Sequence, residues 1–262
     1  MTNPFEKIQQ DNTVLSVNLN KIALLRNSRG RDFPSVTGFA QKTIDLGVKG
    51  ITIHPRPDER HIRRQDARDL AALIAQYDDV ELNIEGFPDA EFIKLIAETK
   101  PHQVTLVPDG LHQITSDHGW DLVNNLDALK AACDALRPHA GRIAVFVDPG
   151  ADLSNLPGIC DRVELYTEAY AQAYDKAVEA NDLDGDLLKD ALKPYAKTAA
   201  QAQELGLNVN AGHDLDLQNL GRFLTIPGIE EVSIGHALTV EALHFGWSNV
   251  VHQYLGICSQ SS

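Results

Sequence analysis

The 262-residue chain has a formal net charge of −14, and 43% of its residues are hydrophobic. So acidic a chain repels nucleic acid over most of its surface, and it has no apolar run long enough to cross a membrane. Its three cysteines form no CxxC or Cys/His pattern, so the sequence indicates neither a disulfide framework nor a zinc site. We therefore expect one cytoplasmic domain over residues 1–262, in which residues 1–12 are a loosely ordered N-terminal extension.

Eight short runs rich in β-branched residues follow one another along the chain. They span residues 14–19, 50–55, 80–85, 103–108, 142–148, 162–167, 207–212 and 231–236. Segments with apolar residues at helical spacing lie between them, among them 35–47, 64–77, 89–100, 121–137 and 239–255. Eight βα units in about 250 residues predict a closed (β/α)8 TIM barrel. An open doubly wound sheet is the competing fold, but the chain has no GxGxxG or GxxxxGK[ST] loop.

The interval between the sixth and seventh runs, residues 168–206, is too long for one ordinary connection. The stretch EANDLDGD divides it into two helical pieces. This predicts an inserted helix before KPYAKTAAQAQELG.

Polar side chains stand at the carboxyl ends of the predicted strands, where TIM-barrel enzymes carry their chemistry. They include Asn18, Asn20, His54, Glu85, Glu164, His213 and His236, and Gly235 stands beside His236. Each has an ordinary structural explanation when taken alone, because a buried histidine or carboxylate can be a hydrogen-bonded core residue. Their coincidence at the same end of different strands favours an active site, since an unpaired buried polar group is costly.

The segment ITIHPRPDERHIRR, residues 51–64, concentrates positive charge in an acidic chain. A local cluster of this kind suits a small anion such as a phosphorylated metabolite. Arg56, Arg60 and His61, together with Arg29, are candidates to hold one phosphate. A second phosphate site is expected at Gly235, where a helix N-terminus offers unsatisfied N–H groups. Two sites suggest two phosphorylated substrates.

The residue types leave two kinds of chemistry open. His54, Glu85, Glu164 and His213 could ligate zinc, iron or manganese, although no HExxH pattern supports a metal site. The other possibility is acid/base catalysis on carbonyl compounds, with His54 and Glu85 as bases and His213 as acid. No lysine stands at the end of the sixth strand, so an enzyme Schiff base there is not indicated.

Eight ordered motifs resemble the pyridoxine 5′-phosphate synthase family, the (β/α)8 enzymes of the deoxyxylulose 5-phosphate route to vitamin B6. The motifs are VNLNKIALLRNSRG, GITIHPRPDERHI, NIEG, KPHQVTLVPD, QITSDHGWD, RVELYTEAYA, NVNAGHDL and VSIGHAL. The resemblance implies condensation of 3-amino-2-oxopropyl phosphate with 1-deoxy-D-xylulose 5-phosphate to pyridoxine 5′-phosphate, phosphate and water. It also implies that the protein needs no metal or redox cofactor and forms a homo-octamer.

The same resemblance assigns roles to individual residues. His54 and Glu85 are expected to accept protons, His213 to donate one, and Glu164 to assist proton transfer during ring closure. Asn18 is expected to bind the amino-ketone, and Gly235 with His236 to hold its phosphate. The pentulose phosphate is expected to be held by Arg29, Arg56, His61 and Thr115.

The chain departs from the commonest family pattern near the substrates. Asn20 and Lys21 stand in place of an Asp-His pair, and Asp214 stands in place of a glycine beside the phosphate site. Lys21 can supply a lost positive charge, whereas Asp214 is unfavourable unless its side chain turns away or caps the next helix. Two readings from other classes remain open: a metal-dependent sugar-phosphate epimerase or aldolase, and a non-catalytic barrel that binds phosphometabolites.

Overall fold

The structure, a computed structural model, describes residues 12–108 and 116–260. Within these residues the strands are β1 (Val14–Asn18), β2 (Gly50–Ile53), β3 (Glu81–Gly86), β4 (Gln103–Leu106), β5 (Arg142–Val147), β6 (Arg162–Tyr166), β7 (Asn208–Gly212) and β8 (Ile229–Ile234). Each strand pairs in parallel with the next, and β8 pairs with β1. The predicted closed (β/α)8 barrel is thereby confirmed.

Helices follow the strands along the chain. Those in the described residues are α1 (Asn20–Asn27), α2 (Val36–Asp45), α3 (Arg64–Ile74), α4 (Ala90–Thr99), α5 (Leu126–Leu136), α6 (Glu168–Glu179), α7 (Asp186–Glu204), α8 (Leu220–Phe223), α9 (His236–Phe245) and α10 (Trp247–Cys258). Side-chain caps fix two of the starts: Ser35 accepts a hydrogen bond from the Gly38 N–H, and Asp89 accepts one from the Phe92 N–H. None of the described helices is long and apolar enough to cross a membrane.

Alternate strand residues face opposite sides of the barrel wall. Apolar residues such as Val17, Ile51 and Val104 are fully buried and belong to the continuous hydrophobic core. Most of the positions between them are polar, and hydrogen bonds join several of these across the barrel interior. Thr52 is hydrogen-bonded to Ser16 at 2.7 Å and accepts a hydrogen bond from Asn83 at 3.3 Å. The hydrophobic core therefore lies in the layer between strands and helices, and the barrel interior is largely polar.

The predicted inserted helix between β6 and β7 is α6. It is followed by a turn at Asn181, which has a φ of 52°, and then by α7. Helix α7 begins earlier than KPYAKTAAQAQELG and continues through Pro194. The predicted division of this interval at EANDLDGD is therefore confirmed.

Two connections differ from the predicted pattern. No helix forms in the described segment 148–161 between β5 and β6, because two Pro-Gly pairs interrupt it and Gly150 and Gly158 have φ values of 90° and 81°. The predicted helix over 239–255 is two helices, since Gly246 has a φ of 82° and separates α9 from α10. Of the predicted N-terminal extension 1–12, residues 1–11 lie outside the described residues.

Candidate active site

A cavity of about 460 Å³ opens at the carboxyl ends of the strands. Most of the candidate residues line it, namely Asn18, Asn20, Lys21, His54, Arg56, Arg60, His61, Glu85, Glu164, His213, Asp214, Gly235 and His236. Arg29 follows α1, is exposed and is not among the lining residues. Thr115 lies outside the described residues.

His54 directly follows β2, and both its backbone and its side chain contact other residues of the cavity. Its backbone N–H donates to Asn20 Oδ1 at 2.9 Å, and the Asn20 N–H in turn donates to Asn18 Oδ1 at 3.0 Å. Its Nδ1 lies 3.8 Å from Glu85 Oε2. Burial, reinforced by the positive charge of Arg56, holds the pKa of His54 well below its usual value. His54 is therefore neutral at pH 7 and able to accept a proton.

The basic wall of the cavity comes from the β2–α3 loop. Arg56 is buried, whereas Arg60 is half-buried and its Nε donates to Asp58 Oδ2 at 2.8 Å. His61 Nδ1 accepts the Ile62 N–H at 2.9 Å, and burial together with Arg56 lowers the pKa of His61 to about 4. His61 is thus a neutral hydrogen-bonding group at pH 7, and the arginines carry the positive charge.

Glu164 projects from β6 into the interior and is only 4% exposed. Thr105 Oγ1 donates to its Oε2 at 3.4 Å, and a Cβ added at Gly212 would meet its Oε1 at 2.7 Å. Burial, with a smaller contribution from Glu231, raises the pKa of Glu164 to about 8. This carboxyl group therefore carries a proton at neutral pH.

His213 follows β7 with a φ of 85°, a conformation that is costly for a residue with a side chain. Thr167 stabilises this turn, because its hydroxyl donates to the carbonyls of Gly212 and His213. The imidazole lies edge-on to the ring of Tyr166, with centroids 5.2 Å apart. These contacts hold His213 over the cavity.

The candidate second anion site lies where α9 begins. Gly235 is the N-cap residue of α9, and a Cβ added there would meet Asn18 Cβ at 2.8 Å. Only glycine fits this close approach of β8 to β1. The first turn of α9 lines the cavity at Gly235 and at His236, which is exposed. The first N–H groups of a helix have no intrahelical partner and favour an anion.

Asp214 does not cap the helix that follows it. It is exposed, has a φ of 55°, and its carbonyl accepts a hydrogen bond from Asn219 at 3.0 Å. The carboxylate that accepts N–H groups ahead of α8 is that of Asp216, which is bonded to Gln218 and Asn219 at 2.8 Å each. Asp214 thus remains at the cavity and adds negative charge near the α9 site.

Sequence reasoning gave no role to several residues that line the cavity. Tyr166 stands at the end of β6, and its hydroxyl donates to Glu168 in the first turn of α6. Ser116 and Ser233 also line the cavity. Inspection of two residues beyond each strand end, rather than the strand end alone, would have found Glu168. In the described part of the chain, no group of three or more His, Cys, Asp and Glu side chains could hold a metal ion.

The chain is similar to known proteins in sequence and in fold. A family model described as "Pyridoxal phosphate biosynthesis protein PdxJ" matches residues 15–260. A protein of Flavobacterium johnsoniae named pyridoxine 5′-phosphate synthase is 49% identical over 247 residues, which are 93% of this chain and 98% of that protein. A protein of the same name from Christiangramia forsetii is 47% identical over 248 residues, with 93% and 98% covered.

The solved structures indicate the fold alone. The tryptophan synthase alpha chain of Legionella pneumophila superposes with a TM-score of 0.64 at 11% identity, covering 97% of this chain and 95% of that one. Phosphoribosyl anthranilate isomerase of Thermus thermophilus gives a TM-score of 0.57 at 12% identity, covering 94% and 100%. At such low identity, a shared barrel does not indicate a shared reaction.

Proposed function

The chain belongs to the PdxJ family of pyridoxal phosphate biosynthesis proteins, and we propose that it acts as a pyridoxine 5′-phosphate synthase. The reaction is condensation of 3-amino-2-oxopropyl phosphate with 1-deoxy-D-xylulose 5-phosphate, which gives pyridoxine 5′-phosphate, phosphate and water. One observation carries the proposal: four acid/base side chains converge in a cavity that is lined by cationic side chains on one wall and by a helix N-terminus on another. These four are His54, Glu85, Glu164 and His213.

The two walls match the two phosphates of the substrates. Arg56, Arg60 and Lys21 surround the site after β2, where cationic side chains bind a phosphate by charge-assisted hydrogen bonds. The N-terminus of α9 offers backbone N–H groups for the other phosphate. A cavity of about 460 Å³ accommodates two small molecules of this kind.

The acid/base side chains are assigned different roles in proton transfer. His54 is neutral and lies beside Glu85, so this pair accepts protons as carbon–hydrogen bonds break. His213 is assigned as proton donor. Glu164 assists the proton transfers of ring closure. The amine of one substrate forms the imine with the ketone of the other, so the chemistry requires no enzyme lysine, and Lys21 is assigned to phosphate binding instead.

The first test is an assay with purified, chelator-treated protein and both substrates, in which pyridoxine 5′-phosphate and released phosphate are measured together. Equal formation of both products supports the synthase without metal or redox cofactor. If neither product forms, turnover of a sugar phosphate that is lost with chelator and restored by a divalent metal would favour a metal-dependent epimerase or aldolase. Binding of both phosphorylated substrates by the folded protein without turnover would favour a non-catalytic barrel.

The proposal extends to assembly and location. We place the enzyme in the cytoplasm as a homo-octamer. Five apolar side chains at the surface of α1 and α9 support self-association, with exposures between 40% and 76%: Leu24, Leu25, Val240, Leu243 and Phe245. Surface apolar side chains that cluster in this way are typical of an interface.

A further inference from the structure

A buried ionic network fills the barrel interior on the side of Glu164 away from the cavity opening. Arg142 contacts both oxygens of Glu81, and its Nη2 lies 3.4 Å from Glu231 Oε2. Arg162 Nη1 lies 3.4 Å from the same Glu231 oxygen, and its Nη2 lies 2.9 Å from Glu230 Oε2. Glu231 is only 5% exposed and is therefore a buried carboxylate between two guanidinium groups.

Asn210 connects this network to Glu164. In the register of the sheet, Glu164 on β6 pairs with Asn210 on β7, and Asn210 pairs with Glu231 on β8. The Asn210 side chain lies within the network, since its Oδ1 accepts from Arg162 Nη1 at 2.7 Å. Glu164 and Glu231 thus face the same interior from strands that are two positions apart.

The environment of Glu164 differs from that of Glu231. Its hydrogen bond is with the Thr105 hydroxyl, and no ion pair joins it to an arginine or lysine of residues 12–108 and 116–260. The titratable and charged groups around this interior are His54 after β2, Glu81 and Glu85 from β3, Arg142 from β5, Arg162 two residues earlier on its own strand, His213 after β7, and Glu231 from β8.

The two buried carboxyl groups therefore ionise in a fixed order. Burial raises the pKa of both, but Arg162 and Arg142 oppose that effect at Glu231. The two guanidinium groups favour the charged form of Glu231, and a negative charge there opposes ionisation of Glu164. Two like charges in a poorly solvated interior are unfavourable, so a proton shared by the pair is favoured on Glu164.

We propose that Glu231 is a positioning residue that keeps Glu164 in its acid form, so that Glu164 enters the reaction as a proton donor. This inference rests on the proposed synthase function. Ring closure must expel water, and loss of water from a substrate requires both a base and an acid. A base such as His54 or Glu85 removes a C–H proton, whose electron pair forms the new double bond. The C–O bond breaks with its electrons moving to oxygen, and Glu164 protonates the departing hydroxyl.

Glu231→Gln tests the inference, because it removes the charge and keeps the side-chain shape. Glu230→Gln is the matched control: it removes the same charge from a carboxylate that contacts the same Arg162 but is half-buried. The carboxyl titration of Glu164 is followed by ¹³C NMR of glutamate-labelled protein, with Glu164→Gln to assign the resonance. We expect Glu164 to titrate about one pH unit or more lower in Glu231→Gln and to be unchanged in Glu230→Gln.

The kinetic readout is the alkaline limb of the kcat profile. It should move to lower pH in Glu231→Gln by the same amount, and Glu231→Asp should restore it because the charge returns. A folded Glu231→Gln protein in which Glu164 titrates as before would overturn the inference. If Glu231→Gln does not fold, the carboxyl titration of the unmodified protein provides the test. Glu164 must then titrate at a higher pH than Glu231, and the reverse order overturns the inference.

The two proposals can fail separately. A lowered Glu164 titration in a protein without synthase activity would support the ionic network and refute the synthase function. An unchanged titration in an active synthase would refute only the role of Glu231.

Discussion

At the residue scale, Glu85 and His54 are the proposed pair of bases, with 3.8 Å between Oε2 and Nδ1. We predict that Glu85→Gln abolishes ring formation and spares substrate binding, because the amide keeps the shape but cannot accept a proton. A general base typically contributes 10²- to 10⁴-fold in rate, so kcat should fall by about that factor. Turnover is followed by product formation and substrate affinity by calorimetry. Exposed Glu91 on α4 gives the control Glu91→Gln, and near-normal turnover in Glu85→Gln would refute the role.

His61 links the site to the pH dependence of stability. Its pKa is about 4 in the folded protein and 6.5 as the ordinary value, so below pH 6.5 the unfolded chain binds a proton that the folded chain does not. The free energy of unfolding should therefore decrease as pH falls from 6.5 towards 4, by about 1 to 2 kcal/mol at pH 5 from this residue. Urea unfolding at several pH values measures it.

His61→Gln should flatten that slope, whereas the control His252→Gln at the exposed surface of α10 should leave it unchanged. Equal slopes in His61→Gln and the unmodified protein would contradict the assignment.

The candidate site residues that sequence could identify are those at strand ends. His54, Glu85 and Glu164 were predicted because parallel strands deliver their last residues to one rim, and the structure brings these three to one cavity. Arg29 was grouped with them from its charge, but its place after α1 leaves it exposed and outside the cavity lining. The protonation state of Glu164 could not be predicted, since it depends on burial and on Glu231, which lies two strands away.

At the element scale, the start of α9 depends on the close approach of β8 to β1. Gly235→Ala would place a Cβ at 2.8 Å from Asn18 Cβ and 3.1 Å from the Asn18 carbonyl oxygen, so the strand end and the first helical N–H groups must shift. We predict that KM for 3-amino-2-oxopropyl phosphate, whose phosphate is assigned to this site, rises about tenfold or more, because a shift of this kind costs at least about 1.4 kcal/mol of binding. Steady-state kinetics with each substrate varied in turn provide the measurement.

Gly256→Ala is the matched control for that variant. Gly256 lies within α10, where an added Cβ meets nothing within 4 Å. Alanine should stabilise the protein by about 0.5 to 1 kcal/mol without changing KM. Equal KM values in the two alanine variants would show that the α9 N-terminus does not bind phosphate.

Element order was predictable and element boundaries were less so. The eight strands emerged from β-branched runs and the inserted helix from EANDLDGD, because both are local signals. The missing helix between β5 and β6 and the break at Gly246 were also encoded locally, by Pro-Gly pairs and by a glycine with positive φ. The prediction of one helix over 239–255 rested on apolar residues at helical spacing on both sides of Gly246, and one glycine does not interrupt that spacing.

At the scale of the whole molecule, buried apolar and buried polar side chains occupy different regions. Apolar residues fill the space between strands and helices, and polar residues fill the barrel interior, where Arg142 and Arg162 meet the buried carboxylates. The alternation along each strand is visible in sequence, but the pairing of charges around the barrel depends on closure of β8 onto β1. This explains why the sequence revealed an active-site rim without revealing the network beneath it.

The exposed apolar side chains at α1 and α9 lead to a prediction about assembly. Leu243 and Phe245 are 76% and 61% exposed, and they belong to the helix whose first turn forms the proposed phosphate site. Leu24, on α1, is 44% exposed and also lines the cavity. If a second copy covers this surface, association also shields one side of the active site.

We predict that Leu243→Glu combined with Phe245→Glu yields a smaller species in light scattering and also raises KM. Two carboxylates must then be desolvated in an apolar contact, which costs several kcal/mol for each unpaired charge. Val123→Glu is the control, since Val123 is 88% exposed and lies away from α1 and α9. An unchanged molecular mass in the double variant would remove these helices from the interface, and an unchanged KM in a dissociated double variant would separate assembly from catalysis.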